Sequence, residues 1–281
     1  MYNNYYLHKV ILVTGGGSGM GRALCEKLAE IGATVICTDI NTQNAGETVS
    51  VIIQSGKNAI ARKLDVSQLS DFEEVITDIV KEHGRIDMIF NNAGIGITGE
   101  LRDISTDQWK KVLDINFYGV LYGSQVAYQQ MIKQGSGHIV NTSSLAGLVA
   151  YIPLITPYSV SKHAVVNYTR CLRQEAKLFN IKASIVCPGL IDTPIIGSLP
   201  AVNANPSWNR DSVKQFEPGI SAADAAHHIL KGVAQNKEVI LFPQMARTIF
   251  FLGRYLKAVY LKMALKEMKK FRQSYRINDR S

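Results

Sequence analysis

Seven short apolar runs, each set off from the next by a stretch long enough for a helix, constrain this chain more than any other feature. The runs are Val10-Ile-Leu-Val13, Thr34-Val-Ile-Cys-Thr38, Ala59-Ile-Ala61, Ile86-Asp-Met-Ile-Phe90, His138-Ile-Val-Asn141, Ala183-Ser-Ile-Val-Cys187 and Val239-Ile-Leu-Phe242. Their apolar residues stand at successive rather than alternate positions, the pattern of strands buried on both faces. Between them, residues 22–31, 71–82, 107–133, 157–179 and 222–234 carry helical apolar spacing. In the first, Ala23, Leu24, Leu28 and Ile31 share a side and Gly32 stops the helix. Strands joined by helices run parallel, and right-handed crossovers cover the sheet on both sides. The expected fold is therefore a single doubly wound α/β domain with a seven-stranded parallel sheet over residues 1–243.

The remainder of the chain differs in charge. Of its 281 residues, 46% are apolar and 19% charged, which excludes a disordered chain. The net charge of +8 lies entirely in residues 244–281, where ten Lys or Arg face two acidic residues; residues 1–243 are balanced. The four cysteines, Cys25, Cys37, Cys171 and Cys187, form no CxxC pair and read as reduced packing residues. His138, His163, His227 and His228 lack metal-ligand spacing, so no metal is expected. No apolar run is long enough to span a bilayer and no signal peptide is evident, so a cytoplasmic location is expected.

The run Thr14-Gly-Gly-Gly-Ser-Gly-Met-Gly21 follows the first strand and opens the first helix. Glycines let an anionic group approach the main chain, and the helix start supplies free N–H groups and a positive dipole end. This is a cradle for a pyrophosphate. Asp39 closes the second strand, 20 residues after Gly19. Its carboxylate suits the two hydroxyls of an adenosine ribose and repels a 2′-phosphate. Neither the glycine run nor residues 40–44 hold an Arg or Lys to attract that phosphate, so NAD is expected rather than NADP.

Tyr158 and Lys162 stand one helical turn apart. A free phenol titrates near pH 10, and a neighbouring cation lowers that value toward the range useful for proton transfer to an alcohol or carbonyl oxygen. Asn141-Thr-Ser-Ser144 ends the preceding strand, where such sheets open their ligand crevice.

Taken together, residues 14–21, Asp39, Asp65-Val66, Asn91-Asn-Ala-Gly94, Asn116, Ser143-Ser144, Tyr158 with Lys162, and Pro188-Gly189 resemble the short-chain dehydrogenase/reductase family, over about residues 9–242. The resemblance implies a Rossmann domain, an NAD(P)-dependent oxidoreductase and a set of roles. Tyr158 would be the general acid/base, Lys162 would lower its pKa and bond the nicotinamide ribose, and Ser144 would orient the substrate oxygen. Asn116 would hold a water that relays protons toward Lys162. Gly15, Ser18, Gly19, Met20 and Gly21 would cradle the phosphates. Asp65 and Val66 would flank the adenine, and Asn92, Ala93 and Gly94 would line the adenosine side. Pro188, Ile191 and Thr193 would meet the nicotinamide.

One feature departs from the family: Ser144 and Tyr158 are 14 residues apart, one more than its usual spacing, with Pro153 and Pro157 between them. A bulge within residues 145–156 is expected, with Ser143 as the substitute should the register shift.

Loop positions near the site are apolar: Ile95, Ile97, Leu148, Val149, Tyr151, Ile152, Leu154, Ile155, Ile195, Ile196 and Leu199. They suit an apolar secondary alcohol or ketone of lipid, steroid, retinoid or terpenoid type, though a packed lid would read the same. Residues 192–219, rich in Pro, Asn, Gly and Ser around Trp208 and Phe216, are the expected substrate loop. Residues 245–276 read as a basic amphipathic helical extension. Ile249, Leu252, Leu256, Val259, Tyr260 and Met263 lie on one side, with Arg247, Arg254, Lys262, Lys269, Arg272 and Arg276 opposite. Docking on protein through Ile249, Leu252 and Leu256, on the body or in a homodimer or homotetramer, is the expected use. Peripheral contact with an anionic membrane is the rival, and nucleic acid the least favoured. A cofactor-binding scaffold, an NADP-dependent carbonyl reductase and a protein acting through its basic tail are the alternative functions.

Overall fold

The computed structural model describes residues 2–149, 152–193, 199–205, 207 and 219–277. Its strands are β1 (Val10–Thr14), β2 (Thr34–Asp39), β3 (Ala59–Lys63), β4 (Met88–Asn91), β5 (Gly137–Thr142), β6 (Ile181–Pro188), the two-residue β7 (Ile191–Asp192) and β8 (Ile220–Ser221), and β9 (Val239–Phe242). Seven of them form one parallel sheet in the order β3-β2-β1-β4-β5-β6-β9, while β7 pairs with β8. The chain walks outward from β1 to β3 and then returns to place β4 against the other side of β1. That reversal opens a crevice between the carboxyl ends of β1 and β4.

The helices are α1 (Gly19–Ile31), α2 (Thr42–Gln54), α3 (Leu69–His83), α4 (Thr106–Leu113), α5 (Gly119–Gln134), α6 (Thr156–Ala176), α7 (Ala222–Ala234), α8 (Gln244–Tyr255) and α9 (Lys257–Ser274). One layer packs α1, α2 and α7 on Ile11, Val13, Val35, Cys37 and Phe90. The other packs α3, α5 and α6 on Val10, Leu12, Ile36, Ile89 and Ile139. Neighbouring residues of one strand thus serve opposite layers, which is why the runs are apolar at successive positions.

Three local expectations change, and one helix was not foreseen. Helix α2 was not marked by a long apolar run. It is defined by the Asn41 side chain accepting from Gln43 and Asn44 N–H, and by the buried spacing of Ala45, Thr48, Val49 and Ile52. Strand β4 begins at Met88 rather than Ile86, because Asp87 turns its carboxylate back to accept Val10 N–H at 2.9 Å. The single helix expected over 107–133 is interrupted by a π turn at Asp114–Tyr118.

The tail is two helices rather than one. The chain turns at Leu256 (φ −119°, ψ 48°), where neither Gly nor Pro stands. The break lets α8 and α9 seat separately. Ile249 and Phe250 of α8 and Tyr260 of α9 close on Leu145 and Val149, and Phe271 of α9 is fully buried against Leu154 and Ala204. With the phase changed at the break, Leu256, Val259 and Met263 stay exposed instead of docking. Arg276, expected on the solvent side, turns inward onto Glu100 and Asp103, while Arg272, 58% exposed, reaches Glu100 from the surface. Beyond α9 the chain pairs with residues 203–205: Asn205 N–H donates to Tyr275 O, and Ile277 N–H to Asn203 O.

Candidate active site

The first helix begins where β1 ends, and the loop between them is held by both neighbouring strands. Gly15 takes φ 65°, the left-handed region open to glycine, and a Cβ there would also press on the Ala93 backbone at 3.0 Å. Thr14 Oγ1 accepts the Asn92 and Ala93 N–H groups at 3.0 Å each, and Asn92 Nδ2 donates to Thr14 O at 3.1 Å. These bonds tie the end of β4 to the glycine loop. Asn92 Oδ1 is left buried with no partner. Ser18 stands at the N-cap of α1 and is exposed, with Met20 and Gly21 in the first turn.

Asp39 faces this loop: Oδ2 accepts Gly17 N–H at 3.0 Å and Oδ1 accepts Asn41 N–H at 2.9 Å. The first basic side chain after the loop, Arg22, is engaged by Glu26 at 2.8 Å. Asp65 is occupied by Ser67, whose N–H and hydroxyl it accepts at 3.0 and 2.8 Å, and Val66 is buried beneath Gly119. Pro188 ends β6 and Ile191 is buried. A Cβ on Gly19 would lie 3.4 Å from Thr193 Cγ2, so the segment after β6 closes over the glycine loop.

The π turn swings Asn116 inward, and its side chain is fully buried. Its Nδ2 donates to Ile95 O at 2.8 Å and to Ser161 Oγ at 3.1 Å, while Oδ1 accepts Ile95 N–H at 2.8 Å. Lys162 Nζ donates to Thr142 O at 2.9 Å and lies 5.6 Å from the centre of the Tyr158 ring. A Cβ built on Gly94 would sit 3.2 Å from Asn116 Oδ1 and 3.4 Å from Lys162 Nζ, so both polar groups face the space this glycine leaves.

The Ser144 hydroxyl accepts Ala146 N–H at 3.1 Å and hydrogen-bonds to Tyr158. Ser143 is turned the other way, donating to Lys162 O at 2.8 Å. The extra residue between Ser144 and Tyr158 leaves Ser144 beside the phenol. Within residues 145–156, Leu154 takes φ 69° and its carbonyl accepts Gly99 N–H at 2.8 Å.

Burial dominates the electrostatics here. It raises the Tyr158 phenol above its ordinary value, opposed by the Ser144 hydrogen bond, and it pulls Lys162 down to about 8. Each group is pushed toward neutrality, because a charge at this depth loses its hydration.

Four of the eight described apolar loop residues are packing residues. Ile97 is buried with Ile104 and Val112, Leu148 packs on Val166 and Cys187, Val149 on Ala246, and Leu154 on Phe271. Leu199 borders the same gap as the phenol: a Cβ on Gly96 would lie 2.8 Å from Leu199 Cδ2 and 3.7 Å from Tyr158 Cδ2. Tyr151, Ile195, Ile196, Trp208 and Phe216 lie outside the described residues. Spacing gave no individual role to Thr14, Thr142, Ser161, Glu100 or Asp103, and placed Arg276 only on the basic side of the tail. All act through partners far away in the chain.

A glycine cradle at a helix start, beside a tyrosine–lysine–serine cluster at the carboxyl end of a parallel sheet, is the arrangement of a doubly wound α/β protein with its crevice at the switch point. Comparison with known proteins names the class further. A family model described as short chain dehydrogenase matches residues 9–203. Cyclohexanol dehydrogenase of Acinetobacter sp. is 34% identical over 195 residues, 69% of this chain and 77% of that protein. "Probable oxidoreductase EphD" of Mycobacterium tuberculosis is 36% identical over 197 residues, and the match covers 69% of this chain but only 33% of that longer protein. Among solved structures, a short-chain dehydrogenase/reductase from Burkholderia phymatum in complex with NAD superposes with a TM-score of 0.81 at 28% identity. That match covers 92% of this chain and 96% of the other. The chain belongs to the short-chain dehydrogenase/reductase family.

Proposed function

We propose that this protein moves a hydride between NAD and an apolar secondary alcohol or ketone, assembled as a homodimer or homotetramer. The observation that carries the reading is the meeting of Ser144, Tyr158 and Lys162 beside the glycine cradle. The cradle fits a dinucleotide. Asn92 Oδ1 is an unpartnered buried acceptor at its edge, and Gly15 and Gly19 keep its backbone clear of side chains. When bound, NAD supplies the acceptor for the hydride that leaves the carbinol carbon.

Everything else falls to the chain. The main-chain N–H groups of Ser18, Gly19, Met20 and Gly21 hold the pyrophosphate at the start of α1. Asp39, aimed by Gly17 and Asn41, accepts the ribose hydroxyls and rejects a 2′-phosphate. Asp65, Val66, Asn92, Ala93 and Gly94 border the adenosine side, and Pro188, Ile191 and Thr193 the nicotinamide side. Ser144 holds the substrate oxygen against the Tyr158 oxygen, which as the phenolate takes the alcohol proton during oxidation and as the phenol returns it during reduction. Lys162 bonds the second ribose, and its ammonium steadies the phenolate as it forms. Asn116, fixed by Ile95 and Ser161, faces the gap at Gly94 through which a water passes the proton outward.

The NAD preference is supported by Asp39, by the absence of a basic residue in the glycine loop, and by the NAD complex of the Burkholderia relative. The apolar substrate is supported by Leu199 bordering the same gap as the phenol and by the name of the Acinetobacter relative. The test is a set of initial rates on cyclic and open-chain secondary alcohols with NAD and with NADP, followed at the absorbance of the reduced nicotinamide. Turnover of apolar alcohols with NAD is expected. Turnover only with NADP, or only of charged substrates, overturns the reading.

A further inference from the structure

Helices α8 and α9 each dock through one side. Ala246, Ile249 and Phe250 of α8 and Tyr260 of α9 close on the same Leu145/Val149 cluster, so the opposite sides of both helices face away from the body. On α8 that outer side carries Phe251 and Tyr255, which are 54% and 67% exposed with ring centres 5.0 Å apart. On α9 it carries Lys262 and Lys266, flanked by exposed Val259 and Met263. A helix already seated by its apolar side has no need of further large apolar residues on its free side, and such a patch marks a contact surface.

Charge identifies what the surface fits. The two helices hold eight Lys or Arg and one acidic residue, Glu267, which is half-buried. All of the chain's +8 excess lies in residues 244–281, beside a neutral body. A second copy of this chain is a poor occupant. Two-fold pairing would set the same lysines against each other, and the cores of protein interfaces are depleted in lysine. An anionic bilayer accepts both components: aromatic and aliphatic side chains enter the headgroup–acyl boundary, and lysines reach lipid phosphates and carboxylates along their flexible stems.

We propose that the outer side of the α8–α9 pair is a docking surface for an anionic phospholipid membrane, with Phe251 and Tyr255 entering the boundary and Lys262 and Lys266 pairing with headgroups. The proposal does not depend on the reaction assigned above.

The test is co-sedimentation of the full chain with vesicles of phosphatidylcholine, with and without phosphatidylserine. Binding is expected only when phosphatidylserine is present, and it should weaken as salt is raised. Phe251→Ala with Tyr255→Ala is expected to weaken binding at least tenfold, and each of Lys262→Gln and Lys266→Gln about fivefold. These side chains face away from the body, so thermal midpoints should stay at the wild-type value and separate lost binding from lost folding. Absence of binding to phosphatidylserine vesicles overturns the proposal, as does binding unchanged in the variants. So does a wild-type oligomer that dissociates in the Phe251/Tyr255 variant without vesicle binding, which would assign the surface to a second copy.

Discussion

Replacing Arg276 with Met probes how the tail is held to the loop between β4 and α4. The Arg276 side chain is 3% exposed, with Nη1 2.8 Å from Asp103 Oδ2 and 3.2 Å from Glu100 Oε2, and those carboxylates are 1% and 4% exposed. Removing one member of a buried ion pair costs about 3–5 kcal/mol, because the partner charge stays buried. Glu100 keeps Arg272 at 2.7 Å and Arg102 at 2.9 Å, so the loss falls mainly on Asp103, whose other contact is Asn203 Nδ2 at 3.4 Å. The low end, about 3 kcal/mol, is therefore expected. For a domain of this size that lowers the thermal midpoint by about 6–12 °C. Urea and thermal unfolding of the full chain measure it. Adding Asp103→Asn to Arg276→Met should recover about 1–2 kcal/mol by removing the stranded charge. A loss below about 0.5 kcal/mol, or no recovery in the double variant, refutes a closed ion-pair clasp.

Two further outcomes follow from the geometry. His138 is buried between the Tyr5 hydroxyl at 2.9 Å and Ser184 Oγ at 3.0 Å, and burial, with Lys182, Arg173 and Lys9 nearby, lowers it to about 3. The folded protein keeps it neutral while the unfolded chain protonates it near 6.5. Its contribution is thus whole above pH 6.5 and declines as pH falls toward 3, by up to about 1.4 kcal/mol per pH unit. Urea midpoints across that range should fall with acid in the wild type and fall less in His138→Gln; equal slopes contradict this. Asp39→Ala should weaken NAD about tenfold or more while improving NADP, read by titrating both nucleotides, since the carboxylate both bonds the ribose and repels a 2′-phosphate. A wild type that already prefers NADP contradicts the assigned role.

The sheet was legible because a strand buried on both faces must be apolar at successive positions, and Ile11/Val13 and Val10/Leu12 do serve opposite layers. The proximity of Ser144, Tyr158 and Lys162 was legible because strand ends and helical turns have fixed spacings. Helix α2 was readable only from Asn41 and the spacing of residues 45, 48, 49 and 52. The π turn at Asp114–Tyr118 leaves no mark in residue type, yet it aims Asn116. The turn at Leu256 is imposed by what each helix docks on, so a single continuous periodicity misassigned Leu256, Val259, Met263 and Arg276. Apolar loop residues could not be sorted into lining and packing without their partners, and Leu154 proved to belong with Phe271.

The central claim is that Tyr158 carries the proton at a site that binds NAD independently of it. Its most direct test compares wild type with Tyr158→Phe, measuring turnover of an alcohol accepted by the wild type alongside NAD binding by calorimetry. The phenol oxygen is lost while the ring and the cradle remain, so kcat should fall by about a thousandfold, within the 10²–10⁴ contribution of general acid–base catalysis, with NAD affinity close to wild type. Turnover within tenfold of wild type would remove Tyr158 from the chemistry and contradict the account.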